Sequence, residues 1–228
     1  CTQCKDTGYI GQKRCRCFQQ AVINLLYSNS NMERLLEREN FQTFREDYYS
    51  DQMMPDGLPS PRANIRKILQ HCRGFLERFP NHENILFQGS TGVGKTFLSH
   101  CIAKEIMDKG YTCVYTTAFQ LFDYLAKHTF QREKEEDTER SLNMIFQCDL
   151  LIIDDLGTEM VNKFVVSQLF HCLNERLIRE KSTIISTNLS VKEFRDIYSE
   201  RIFSRIIEHY SWHKIYGDDI RFKKSNLT

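Results

Sequence analysis

The sequence predicts an α/β fold, a parallel five-stranded sheet between helices, preceded by a small cysteine-rich segment. Three observations predict it. The short runs Ile85-Leu86-Phe87 and Leu150-Leu151-Ile152-Ile153 lack polar alternation, as strands buried on both faces do. Around them, apolar residues recur at helical spacing. The two kinds of element alternate, and a strand–helix–strand order within one sheet requires parallel crossovers.

The elements follow in order. Ile65, Ile68, Leu69, Cys72, Leu76 and Phe79 mark a helix that Pro80 stops. After strand 85–87 comes a glycine-rich octet, then a helix to about Met107, with Gly110 as punctuation. Thr112–Thr117 is β-branched and aromatic and reads as a strand. A helix from Ala118 to about Phe130 leads into a charged run, Arg132–Arg140, which reads as a solvated face or loop. Strand 150–153, a helix over Phe164–Ile178 and strand Thr183–Ser186 continue the pattern. Two short helices, the first starting at about Val191, and a last strand near Trp212–Tyr216 complete it.

Upstream, residues 21–61 read as a polar, partly helical connector ending in the breaker cluster Pro55-Asp56-Gly57-Leu58-Pro59-Ser60-Pro61. Three units result: a cysteine-rich segment (1–20), the connector (21–61) and the main domain (62–228). The chain starts at Cys1 without an initiator Met, which reads as a fragment lacking upstream sequence. With 41% hydrophobic and 27% charged residues the composition is that of a globular protein, and no apolar run reaches the ~18 residues of a membrane span. A net charge of +1 means that any nucleic-acid contact must come from local clustering. The odd count of nine cysteines, with Cys72, Cys101, Cys113, Cys148 and Cys172 among apolar neighbours, points to free thiols in a reducing, cytoplasmic compartment.

Gly89-Ser90-Thr91-Gly92-Val93-Gly94-Lys95-Thr96 fits a phosphate-binding P-loop, and its place between a buried strand and a helix is the one that function requires. Backbone N–H groups cradle phosphate oxygens at the helix start, Lys95 reaches the β- and γ-phosphates, and the Thr96 hydroxyl takes Mg2+. Asp154 and Asp155 end the next fully apolar strand but one. Two adjacent carboxylates there repel unless a cation is near, which favours Asp154 orienting a water on Mg2+ and Asp155 polarising the attacking water over a pair of helix-capping acids. Asn188, closing Ser186-Thr187-Asn188, can hydrogen-bond a γ-phosphate or lytic water, with Thr187 the weaker candidate. The same residues also fit an Asx turn.

Arg201 and Arg205 lie four apart on one helix face. Arg205, between apolar residues, suits an arginine finger reaching a neighbouring subunit's γ-phosphate, or else a surface ion pair with Glu200 or Glu208. Arg221 follows a Gly217-Asp218-Asp219 turn; spacing alone leaves it either a phosphate contact in cis or a solvated residue. Cys1, Cys4, Cys15 and Cys17 form a C-x2-C and C-x-C set suited to four-thiolate Zn2+ binding; the competing reading is a reduced, metal-free terminus. Tyr9, Phe41, Phe44, Tyr48, Tyr49 and Trp212 can stack on bases but read better as packing.

Together the P-loop, Leu151-Ile152-Ile153-Asp154-Asp155-Leu156-Gly157, Ser186-Thr187-Asn188 and Ser204-Arg205-Ile206 resemble the AAA+ module of DnaC/DnaI-type bacterial replicative helicase loaders, within the P-loop NTPase (ASCE) fold. The cysteine segment with Asp6-Thr7-Gly8-Tyr9-Ile10 is similar to the stretch preceding that module in many Gram-positive members. The resemblance implies an ATPase, with ATP/ADP and Mg2+, that holds a hexameric DnaB-type helicase and helps place it on single-stranded DNA. It assigns Asp154 to Mg2+, Asp155 to hydrolysis, Asn188 to sensor 1 and Arg205 to a finger in trans, hence self-association through the ATP site. Arg221 resembles the sensor 2 arginine. Two departures stand out. Asp155 replaces the superfamily's usual Glu, so hydrolysis is expected to be slow and switch-like. The chain also ends soon after Arg221, leaving no room for a full lid domain. IstB-type transposition helper ATPases share these motifs, and a nucleotide-binding adaptor with negligible hydrolysis is the third reading.

Overall fold

The computed structural model describes residues 1–11, 13–26, 32–55, 57–130 and 143–225. The charged run Arg132–Arg140 lies outside the described residues. A hairpin of β1 (Tyr9–Ile10) and β2 (Lys13–Arg14) opens the chain, followed by α1 (Arg16–Leu26), α2 (Met32–Arg38) and a 3-10 turn, Glu46–Tyr48. Then come α3 (Pro61–Arg78), β3 (Asn84–Gln88), α4 (Lys95–Asp108), β4 (Cys113–Thr117), α5 (Ala118–Phe130), β5 (Leu150–Leu156), α6 (Lys163–Ile178), β6 (Ser182–Thr187), α7 (Val191–His209), β7 (Tyr210–Lys214) and α8 (Ile220–Ser225).

β3 to β7 form one parallel sheet in the order β4-β5-β6-β3-β7. The apolar strand runs explain its layers, because successive side chains point to opposite faces. Leu86, Leu151, Ile153 and Ile185 meet α5, α6 and α7 on one face, and Ile85, Phe87, Leu150, Ile152 and Ile184 meet α3 and α4 on the other. Both faces are therefore dry. No described helix is long and apolar enough to cross a membrane.

One strand shifts from its expected limits, and three details are added. β7 occupies 210–214 rather than 212–216, because α7 runs directly into it and its register follows β3, from Asn84↔Tyr210 to Gln88↔Lys214. The two short helices expected after Val191 are both present within α7, divided at Ser199, whose φ of 79° and ψ of 154° break the helical path. A serine held there costs on the order of 1–3 kcal/mol, since that region is essentially glycine's alone. α1 crosses the expected boundary at residue 20. The connector packs onto the main domain: Met32, Leu36 and Tyr49 belong to the α3–α4 core, and Phe44 stacks on Tyr49. The five scattered cysteines are buried and free.

Candidate functional site

The P-loop octet leaves the end of β3 and enters α4. It stands beside β6, where the Gly89 N–H donates to the Thr187 carbonyl at 3.1 Å. Gly94, the residue before the helix, has φ 98° and lies against the Tyr49 hydroxyl: a Cβ there would fall 2.5 Å from that oxygen. The Tyr49 hydroxyl donates to the Val93 carbonyl at 2.9 Å, so the connector buttresses the loop from behind. Ser90 and Thr91 are exposed, and Val93 is buried as the loop's hydrophobic anchor.

Lys95 is buried, and its ammonium donates to the carbonyls of Gly89 and Ser90 at 2.8 and 2.9 Å. Burial lowers its pKa, opposed by the charges of Asp155 and Asp154, with Arg221 adding to the lowering. The cation is thus poorly solvated and surrounded by too few anions, which suits it to a phosphate.

Asp154 ends the regular part of β5 and is 2% exposed. Its Oδ2 accepts from Thr96 Oγ1 at 2.9 Å and from the Tyr115 hydroxyl at 2.5 Å, and its Oδ1 accepts from Ser186 Oγ. Asp155 follows on a bulge: Ile153 pairs with Ile185 but Leu156 with Thr187, and Asp155 takes φ 55°. In a regular strand two successive side chains point to opposite faces, and a bulge re-aims one of them. Ser186 holds the arrangement, since its hydroxyl also accepts from the Asp155 N–H at 2.9 Å. Asp155 is exposed; local desolvation and the neighbouring Asp154 raise its pKa, against Lys95. Thr96 and Asp154 suit Mg2+ in donor type, hard oxygens from a hydroxyl and a carboxylate beside a phosphate loop.

Asn188 is exposed just past β6, while the Thr187 hydroxyl is spent on the Leu156 carbonyl at 2.6 Å. Arg221 also lies at the P-loop. It forms a two-pronged pair with Asp219, whose carboxylate packs so closely on Gly92 (φ 80°) that a Cβ there would fall 2.0 Å from it. Arg205 is not part of this cluster. It rests half-buried on the second part of α7, its guanidinium 5.0 Å from the centre of the Phe170 ring. Arg201, exposed, lines an open groove of about 560 Å3 with Asn162, Lys163, Phe170 and Ile197.

At the other end of the sheet, the sulfurs of Cys1, Cys4, Cys15 and Cys17 all lie within 4.8 Å of one another. Cys1–Cys15 and Cys4–Cys17 are 3.8 and 3.4 Å apart. A tetrahedron with metal–sulfur bonds of about 2.3 Å has edges of about 3.8 Å, so the donor set fits Zn2+. Burial raises the Cys4 thiol, but hydrogen bonds from Cys17, the Gly8 backbone and Cys15 outweigh it and the net shift is downward; Cys17 is pushed up to about 11 by its bond to Cys4 and by burial. The segment docks on edge strand β4. The Gln20 amide makes a two-way pair with the Cys113 backbone (3.1 and 2.7 Å), and Arg16 stacks over Tyr111.

Two features escaped the sequence reading. Arg176 is fully buried, and among the described residues no carboxylate is one of its hydrogen-bond partners, which are the carbonyls of Ile145, Cys148 and Ser182, the Thr183 hydroxyl and the Cys148 sulfur. The signal was present: it continues the apolar stripe Leu169, Cys172, Leu173. Glu159, 9% exposed, accepts from the buried Tyr198 hydroxyl and from the Gly157 N–H. Nothing in the sequence pairs residues so far apart.

The model of the family described as IstB-like ATP binding protein matches residues 62–228. The ATP-binding protein of insertion sequence IS21 from Pseudomonas aeruginosa is 26% identical over 166 residues, 70% of this chain and 60% of its own length. The replicative helicase loader DnaC of Escherichia coli (strain K12) is 27% identical over 139 residues, 60% of this chain and 56% of its own. This chain therefore spans little more than half the length of those relatives. Among solved structures, the DnaC helicase loader superposes with a TM-score of 0.64 at 21% identity, covering 79% of this chain and 98% of that one. The replication initiator DnaA bound to AMPPCP and single-stranded DNA gives 0.60 at 26%, covering 72% and 51%. These likenesses bear out the AAA+ fold expected from the motifs. The chain belongs to the IstB-like ATP-binding protein family, whose model matches it over residues 62–228.

Proposed function

We propose that the chain is a slow, assembly-dependent ATPase that holds a hexameric DnaB-type replicative helicase and assists its placement on single-stranded DNA. The observation that carries the ATPase reading is the convergence of Lys95, Thr96 and Asp154, with Asp155 re-aimed by the bulge beside them. The P-loop from Gly89 to Thr96 binds the triphosphate, with Lys95 exchanging its carbonyl partners for phosphate oxygens. Thr96 and Asp154 hold Mg2+, which when bound offsets charge on the β- and γ-phosphates. Asp155 takes the proton of the attacking water, Asn188 orients that water, and Arg221 contacts phosphate in cis once it leaves Asp219. Arg205 acts on the site of a neighbouring subunit. Residues 1–20 form a Zn2+ unit on Cys1, Cys4, Cys15 and Cys17, and residues 21–61 tie it to the domain at 62–228.

The loader reading is supported by the cysteine cluster ahead of the ATPase and by the fold likeness to DnaC. A second reading, a helper ATPase for transposition, is favoured by the family model and by the IS21 relative. Co-purification decides between them: retention of a hexameric helicase is expected, and recruitment of a transposase with no helicase bound sinks the loader reading. ATP turnover measured with and without single-stranded DNA separates either reading from a non-hydrolysing adaptor.

A further inference from the structure

We infer that Glu159 and Tyr198 are positioning residues, a buried clamp that fixes the arginine-bearing half of α7 relative to the Asp155 turn. The inference rests on the ATPase reading above. It starts from the turn after the bulge. The Thr158 N–H and hydroxyl both donate to the Asp155 carbonyl, at 3.2 and 2.8 Å, so Asp155 is followed by a closed loop rather than a free one. Glu159 completes that loop by accepting from the Gly157 N–H at 2.9 Å. Its other oxygen accepts from Tyr198, which is fully buried beside Phe194.

Tyr198 is the last residue before the break in α7. Ser199 takes up a backbone conformation that serine rarely adopts, and Arg201 and Arg205 follow within two turns of helix. Strain of this kind persists only where neighbouring contacts enforce it. Here the enforcing contact on the near side is the Tyr198–Glu159 bond. On the far side, Arg205 lies over Phe170 and Ile202 and Ile206 are buried in the core. The chain of contacts runs from Asp155, which would act in its own site, to Arg205, which would act in the next one. A shift of the turn is therefore passed to α7 through one hydrogen bond, not through a flexible loop.

The test is a double-mutant cycle on ATP turnover, measured over a range of protein concentrations, with ATP affinity followed separately. Tyr198→Phe should lower kcat about fivefold, the effect of one hydrogen bond, with ATP affinity within about twofold of the parent. On an Arg205→Ala background it should lower kcat no further. Should Tyr198→Phe melt below the assay temperature, Glu159→Gln, which keeps the side-chain volume, takes its place in the same cycle. Unchanged turnover in the clamp variant, or losses that multiply with Arg205→Ala, would overturn the clamp. If Arg205→Ala alone leaves turnover intact, the inter-subunit reading has failed instead, and the clamp with it.

Discussion

Lys95, Thr96 and Asp154 are held from all sides by the chain's own carbonyls and hydroxyls, whereas Arg205 and Arg201 sit beyond a helix break, one on a phenylalanine ring and the other on an open groove. The first region brings together groups suited in donor type to a phosphate and Mg2+. The second is organised but has no such site within reach of the contacts described. The difference separates two kinds of test: substitutions in the first region should act on nucleotide binding, and substitutions in the second on the assembly-dependent turnover proposed above.

Substitutions that separate the regions test this. The largest effect is expected from Lys95→Ala, which should weaken ATP binding ~100-fold or more, read by equilibrium titration with a fluorescent ATP analogue. Near-parental affinity would break the comparison at its firmer end. Arg205→Ala should leave that affinity within about twofold and lower turnover at high protein concentration by about 100-fold. Equal loss of binding would instead give Arg205 a role in its own subunit's site or in folding. Asp155→Glu lengthens the carboxylate by one methylene and should raise single-turnover rates several-fold, by roughly 1 kcal/mol in the barrier. An unchanged rate would remove the short side chain as a cause of the slow hydrolysis proposed above.

A control outside both regions has the smallest effect. His213 on β7 faces His71 and Lys67, with Glu83 and Arg78 near His71, and burial first, then the charges of His71 and Lys67, push its pKa down to about 4. The unfolded chain therefore binds its proton at higher pH than the fold does. Stability is full above about pH 6.5 and falls as pH drops toward 4, by about 1–2 kcal/mol after allowing for partial exposure. His213→Gln should flatten that part of the denaturation-midpoint profile while leaving ATP affinity unchanged. An unaltered slope would place the titration elsewhere.

Much of this was legible in the sequence because its physics is local. Ile85-Leu86-Phe87 and Leu150 to Ile153 announce doubly buried strands, and the octet from Gly89 announces its own loop. What was not legible depends on partners distant along the chain. The bulge that re-aims Asp155 is set by Ser186, and the support behind Gly94 by Tyr49. The limits of β7 are set by β3, since Tyr210-Ser211 carries no apolar signal of its own. Arg176 shows the converse: helical spacing put it on the buried stripe, and only the surrounding carbonyls explain how a cation is tolerated there. The arginines of α7 were readable as a shared face and the stretch as two helices, but the position of the break at Ser199 was not.

The Gln20 amide has a consequence for solubility. β4 is an edge of the sheet, and an uncovered edge offers its backbone to any other extended chain. By filling both the donor and the acceptor of Cys113, Gln20 denies the first rung of such a ladder to an incoming strand. The cysteine-bearing segment and its helix thus double as a guard against runaway strand addition at this edge.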